Sequence, residues 1–434
     1  MQGENLDELN LSNEKNIVKQ LDQGEKVLMS CSIFKFNDYK KRQERNFLVS
    51  THAIYNLDGL SIKRKIDMNK IQALTISTLG TEFVVHVPEE YDYRYASNDK
   101  TSTLWSREKG RQVNLDDFNT LKVLGAGAFG TVLLVEEKKT GEWMAMKVIK
   151  KDVILDKGQF EHTKTEKMVL EHVNHPYLVN LVYAFQDPSR LFFVMQFMKG
   201  GELFQHLRIS RRFEEKRAKF YAAQLSLGIG HLHSKNIIYR DLKLENVLMD
   251  DFGNVYVSDF GMAKMVKQNE LAMTFCGTPE YLSPEVILGH GCDHTTDWWS
   301  LGILTYEMMF GLPPFYNKQQ STMFKLIKEG ELRFPEKPGS TNEAKDFIIR
   351  CLNRDRKQRI GAKNDLAEIQ AHPWFKDIDW NLLLQKKLQP PFIPNVTDEG
   401  WLNNFDKDFT QMNPVLENDG RQVGKHGNDP FDNF

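Results

Sequence analysis

The stretch YRDLKLEN, Tyr239 to Asn246, constrains the fold more than any other part of the chain, because it packs an acid, a base and an amide into one polar loop flanked by apolar segments. SDFG follows at Ser258–Gly261, where Asp259 precedes a flexible glycine after the apolar run NVYV. A soluble turn could carry either stretch alone, but the surroundings add an order. β-type segments come early (LKVLGAGAFGTVLLVEE, EWMAMKVIKK, LFFVMQF), and helical periods come later (EEKRAKFYAAQLSLGIGHLHS, TTDWWSLGILTYEMMFG). From near Phe118 the expectation is a β-rich lobe followed by a helical lobe, an α+β arrangement. In LGAGAFGTV, Gly125, Gly127 and Gly130 stand between two β runs, where the backbone can approach phosphates without interference from a Cβ. A dinucleotide-binding loop needs a strand leading into a helix; here TVLLVEE continues as strand, and that reading falls.

AMKVIK sets Lys147 in an otherwise apolar strand, where a buried ammonium is costly without an anionic partner. A lysine snorkelling from an edge strand is the plainer alternative. Phosphoryl transfer requires a group that orients an attacking hydroxyl and takes its proton, oxygen ligands for magnesium, and fixed positive charge on the phosphates. Asp241, Asn246, Asp259, Lys243 and Lys147 can meet those needs.

Length and composition bound the rest. A chain of 434 residues implies two or three folded units, and 41% hydrophobic with 27% charged residues is ordinary for a globular, cytoplasmic-type protein. No signal peptide is expected from the polar N-terminus, Gln2 removes the glycine needed for myristoylation, and DPFDNF offers no prenylation cysteine. Cys31, Cys276, Cys292 and Cys351 lack metal-ligand spacing and read as free thiols. A net charge of -2 gives no case for nucleic-acid binding. The expected division is an unstructured 1–23, a small β domain over 24–105, a linker over 106–117, the two-lobed domain over 118–375 and an extended tail over 376–434.

From Phe118 to Phe375 the chain resembles a eukaryotic protein kinase, with the motifs in family order. That resemblance implies a bilobal kinase fold, ATP and Mg2+ as cofactors, and a role for each matched residue. Lys147 takes the lysine on the α- and β-phosphates and Glu166 its helix partner. Asp241 is the catalytic aspartate, Lys243 the lysine that steadies the γ-phosphate, and Asn246 and Asp259 are the magnesium ligands. Leu124, Val132, Ala145, Leu248 and the tail's Phe405 match the apolar walls around adenine, Met195 the gatekeeper, and Gln196 and Met198 the hinge. SPE replaces the usual APE, with Glu285 kept to pair with Arg359. With all six required side chains present, an active enzyme is expected over a catalytically idle, ATP-binding scaffold.

TFCGTPEYLSPE, TDWWSLG and the tail resemble the group of protein kinases A, B and C, with GGELFQHL and QPPFIPNVT most similar to protein kinase B. The group resemblance makes Thr274 the activating phosphorylation site, received by His162, Arg240 and Lys264 and loaded by an upstream phosphoinositide-dependent-kinase-like activator. It also implies that Glu202, Glu245 and Glu307 face arginines before the acceptor of a basic protein substrate, while Phe275, Pro279 and Leu282 form the apolar pocket after it. In the tail, Glu417 stands where protein kinase C-like chains carry a phosphorylatable threonine, and Phe431 and Phe434 are expected to dock on the small lobe.

The β runs VLMSCSIFKF, NFLVSTHAIYNL, LSIKRKI, IQALTIS and EFVVHV read as successive hairpins. They resemble a pleckstrin-homology-like domain, closest to the tail-homology domain of class I myosins. Lys35, Lys40, Lys41, Arg42 and Arg45, with Lys63, Arg64 and Lys65, offer cations to an anionic lipid headgroup, which implies peripheral membrane recruitment. A solvated basic face or a protein-binding, autoinhibitory module remains an alternative. A monomer is the default.

Overall fold

Runs rich in β-branched and aromatic residues, cut by turn-formers, favour consecutive hairpins, and in the computed structural model the first unit is built of them. The structure describes residues 9, 11–21, 25–36, 42–67, 70, 73–76, 82–86, 93–97, 113–127, 130–266, 271–336, 339–397, 400–414 and 430–431. The chain divides into two compact units, 1–112 and 113–434.

In the first unit a 3-10 turn at Leu11–Asn13 and a helical turn α1 (Lys15–Val18) precede the strands β1 (Val27–Phe36), β2 (Arg42–Ser50), β3 (Ala53–Asp58), β4 (Ser61–Asp67), β5 (Ala73–Ile76), β6 (Glu82–His86) and β7 (Tyr93–Ser97). They form one sheet in the order β4-β3-β2-β1-β7-β6-β5. β7 lies beyond the five β runs legible in the sequence, and its pairing of Ser97 with Ile33 joins the two halves of the sheet through β1. Residues 11–18 correct the expectation of an unstructured start. Leu11 and Ile17 are 2% and 0% exposed, packed with Leu48, Tyr55 and Leu57. Two apolar residues six positions apart make no periodic signal, yet they help to cover β3, which is buried from Ala53 to Leu57.

The second unit begins with an antiparallel sheet of β8 (Phe118–Ala126), β9 (Gly130–Glu137), β10 (Trp143–Lys150), β11 (Leu181–Gln186) and β12 (Arg190–Gln196), ordered β11-β12-β10-β9-β8. Between β10 and β11 the chain forms α2 (Lys151–Asp156) and α3 (Phe160–His172). A helical lobe follows with α4 (Leu203–Ser210), α5 (Glu215–Ser234), α6 (Pro284–Ile287) and α7 (Thr295–Phe310). α7 is buried along its length from Thr295 to Met309, as an apolar helix must be when it runs through a core. Trp298 and Trp299 are both fully buried, and an indole removes about 200 Å² from water, worth about 5 kcal/mol by area. The tail then lies along this unit: the Tyr177 hydroxyl donates to the Leu383 carbonyl, Trp401 packs beside β10, and Phe431 is buried against Ile149, Ile154 and Phe193.

Candidate active site

β10 is the central strand of the small-lobe sheet, pairing Lys147 with Val132 on one side and Phe193 on the other. From there its ammonium reaches Glu166 of α3 at 2.6 Å and Asp259 at 3.3 Å. Burial opposes the charge on Lys147, but these two carboxylates hold its pKa above the usual lysine value. The same lysine keeps the Asp259 carboxyl below its ordinary range. Asp259 adopts φ +52, a left-handed conformation that costs a non-glycine residue strain and that recurs at functional sites.

The loop after α5 supplies the other half. Asp241 accepts from the Asn246 amide at 2.9 Å, from the Lys243 ammonium at 2.9 Å, and from the Thr278 hydroxyl at 3.1 Å, while Lys243 also reaches Thr278 at 3.0 Å. The loop is fixed from beneath by Asp297 of α7, fully buried, which accepts the backbone N–H of Tyr239 at 2.9 Å and of Arg240 at 2.8 Å. His233 stands 2.8 Å from Asp297 and 2.9 Å from Asp365, so both ring nitrogens face carboxylate oxygens. Thr278, Asp297 and His233 escaped the sequence reading. Asp297 was visible only as the acid beside the two tryptophans, and nothing local marks a threonine for contact with Asp241.

Between the halves lies a cavity of about 410 Å³, a size suited to a small-molecule ligand. Leu124, Gly125, Val132, Ala145, Met195, Gln196, Met198, Leu248 and Phe405 line it, as expected, together with Val179, Phe197 and Ser258, which were not foreseen. Lys147, Glu166, Lys243, Asn246 and Asp259 line its polar end, with Glu202 and Glu245 at its margin. Asn246 spends its amide nitrogen on Asp241, which leaves its oxygen, beside the Asp259 carboxylate, as the kind of hard donor magnesium takes. Gly127 and Gly130 sit in the β8–β9 turn, where the Gly127 N–H donates to the Gly130 carbonyl at 2.9 Å, and neither lines the cavity. A Cβ at Gly130 would collide with the Val148 carbonyl of β10, so this glycine is required for strand packing.

Burial, with Glu245 and Asp406 nearby, pushes the Glu202 carboxyl up to about 7, and one Glu245 oxygen is buried with no hydrogen-bond partner among the described residues. Burial, with Glu245 and Glu280 nearby, also pushes Glu307 up to about 7 against the opposing Tyr281 hydroxyl, which donates to it. Phe275 is 61% exposed and Pro279 opens a 3-10 turn, whereas Leu282 is buried with Val286 and Cys292. Thr274 and Arg240 line one small cavity, and the Arg240 Nη1 is buried without a partner among the described residues. His162 contacts Gln159 at 2.5 Å and Lys264 lies in a short strand opposite Ile238; no contact joins either to Thr274. Glu285 and Arg359 form the expected buried pair at 2.6 and 2.8 Å. In the first unit Arg45 and Lys63 lie 3.8 and 3.9 Å from Asp58, and Lys65 lies 3.7 Å from Asp67. Lys35 and Arg42 fall within β1 and β2, and Arg64 within β4, whereas Lys40, Lys41, Glu417 and Phe434 lie outside the described residues. No helix among the described residues is long and apolar enough to cross a membrane.

Comparison with known proteins agrees with this geometry. Residues 118–375 match the family described as the protein kinase domain, and residues 5–120 match the family described as the unconventional myosin tail, actin- and lipid-binding. The RAC serine/threonine-protein kinase of Drosophila melanogaster is 47% identical over 302 residues, 69% of this chain and 49% of that protein. Protein kinase 2 of Dictyostelium discoideum is 45% identical over 72% of this chain and 64% of its own length. The serine/threonine-protein kinase Sgk2 of Homo sapiens is 48% identical over 68% of this chain and 80% of its own. The chain thus spans about half the length of the Drosophila relative and under two thirds of the Dictyostelium one.

Proposed function

The chain belongs to the protein kinase family, and from that premise we propose that it transfers the γ-phosphate of ATP to serine and threonine hydroxyls in proteins carrying arginines before the acceptor. The observation that carries this is the triangle of Lys147, Glu166 and Asp259 at the polar end of the cavity, beside a loop that presents Asp241 and Lys243 together. Lys147, held charged by its partners, neutralises the α- and β-phosphates. Asp241 orients the substrate hydroxyl and takes its proton as that oxygen bonds to the γ-phosphorus and the bond to the β–γ bridging oxygen breaks, releasing ADP. Lys243 steadies the transferred group. Asn246 and Asp259 would hold magnesium, which when bound neutralises charge developing on the phosphates.

Glu202 and Glu245 receive substrate guanidinium groups. Two acids placed so that one resists ionisation, with an orphaned carboxylate oxygen, favour a bidentate cation. Phosphate on Thr274, placed by an upstream activator, gives the unpaired Arg240 guanidinium nitrogen its missing acceptor. In this reading the β domain runs over 24–105, the kinase domain over 118–375 and the tail over 376–434, with residues 11–18 joined to the β domain. That unit directs the chain from the cytoplasm to anionic membranes. Arg45, Lys63 and Lys65 already lie near Asp58 and Asp67, but partly exposed pairs of this kind are worth at most about 1 kcal/mol and yield readily to a headgroup.

Phosphate transfer from labelled ATP-magnesium to arginine-bearing serine peptides, with protein phosphorylated at Thr274, tests the reading. Transfer by the wild type and its loss in Asp259→Ala support it. A folded, phosphorylated protein that binds ATP and transfers nothing supports an ATP-binding scaffold instead. Sedimentation with anionic vesicles tests the lipid role separately, and absence of binding at modest salt removes it.

A further inference from the structure

Phe405 belongs to the wall of the nucleotide cavity, yet it comes from the tail rather than from either lobe. The short 3-10 helix before it, Gly400–Asn404, cannot hold its place by its own hydrogen bonds. Two things seat it. The Asn404 side-chain amide donates to the Lys199 carbonyl at 3.1 Å and to the Asn395 carbonyl at 3.3 Å. The backbone comes so close that a Cβ at Gly201, already at φ +68, would meet the Asn404 carbonyl. These contacts fix the backbone at Asn404 and do not involve the Phe405 ring.

The ring is fixed by Trp401. This indole is 5% exposed and packs edge-on against Phe405 at 5.7 Å and 80°, against Phe197 at 5.5 Å and 86°, and against Trp143 at 5.9 Å and 67°. Phe197 stacks on Phe405 in turn, at 5.8 Å and 25°. Phe197 and Phe405 both line the cavity, and Trp401 stands behind them outside its lining. Trp143 stands two residues before Ala145, a wall residue on the same strand. Trp401 thus ties the strand, the hinge and the tail into one aromatic cluster whose inner surface is the nucleotide wall.

We infer that Trp401 is a positioning residue for nucleotide affinity, holding Phe405 and Phe197 in register against the bound ATP. The inference rests on the kinase reading above. Edge-to-face aromatic pairs change an equilibrium by about 2- to 10-fold each, so loss of the indole should weaken nucleotide binding by about 10-fold.

The test is a fluorescence titration of the full chain with a methylanthraniloyl-labelled ATP, with and without magnesium. It is paired with steady-state kinetics on an arginine-bearing peptide. Trp401→Ala should raise the nucleotide Kd and the KM for ATP together by about 10-fold, with kcat at saturating ATP and the peptide KM close to wild type. Trp401→Phe should restore most of the affinity, and Trp401→Leu, which keeps apolar volume without a ring edge, should not. Wild-type affinity in both the Ala and Leu variants overturns the inference. So does a parallel loss of kcat, both KM values and melting temperature, which marks a purely structural role. A wild-type chain that binds no nucleotide overturns the kinase reading as well, and is told apart because the variants then add nothing.

Discussion

Raising the pH from about 6.5 to about 9 should strip a charge from beneath the catalytic loop, where His233 lies between Asp297 and Asp365. Both ring nitrogens are within hydrogen-bonding distance of carboxylate oxygens, so each must carry a proton, and the imidazole is the cation. Burial opposes that charge, but the two aspartates raise its pKa from 6.5 to about 9. Because the folded value exceeds the unfolded one, the contribution to stability is complete below pH 6.5 and is lost as the pH climbs through 9. At 1.36 kcal/mol per unit the shift corresponds to roughly 3 kcal/mol, and with a side chain only 2% exposed little of it is screened by solvent. Urea unfolding across this window should show the loss in the wild type. Asp365→Asn, which keeps the shape and removes one charge, should flatten the slope while leaving Asp297 on the Tyr239 and Arg240 amides. Equal pH slopes in the two proteins, or an imidazole of His233 titrating near 6.5 by NMR, would refute the reasoning.

Lys147→Met should lower kcat by about 100-fold or more while the protein still folds, checked by turnover alongside circular dichroism. Burial pushes Glu202 up to about 7, so the KM for arginine-bearing peptides should fall as pH rises through that value, and Glu202→Gln should flatten the dependence to what Glu307 alone supplies; a peptide without arginine is the control. Arg359→Ala leaves Glu285 buried without its partner and should cost about 3–5 kcal/mol, read as a lowered melting temperature. Phe431→Ala should free the tail from Ile149, Ile154 and Phe193, seen as faster protease nicking after residue 414.

The chemistry-bearing residues were legible because each breaks a local rule: an ammonium in an apolar strand at Lys147, charges crowded into a loop at Asp241, an acid ahead of a glycine at Asp259. The residues that position them obey local rules and so gave no signal. Asp297 looks like an ordinary acid in the first turn of a helix, and its bonds to Tyr239 and Arg240 cross 58 and 57 positions of sequence. Leu11 and Ile17 were too sparse to read as a pattern, and β7 carries Arg94 and two tyrosines without the apolar alternation of a strand. Gly130 carries a second demand that its motif does not show, because a Cβ there would meet the Val148 carbonyl of a neighbouring strand.

The wall of the nucleotide cavity runs from Leu124 to Phe405, so its first and last pieces are separated by most of the second unit. A ribosome makes them in that order. While synthesis is under way, both lobes can fold with their acids and lysines in place, but the pocket has one side missing until the tail emerges and seats itself. Unfinished chains and truncation products ending before Phe405 therefore carry Lys147, Asp241 and Asp259 beside a cavity that lacks one of its walls.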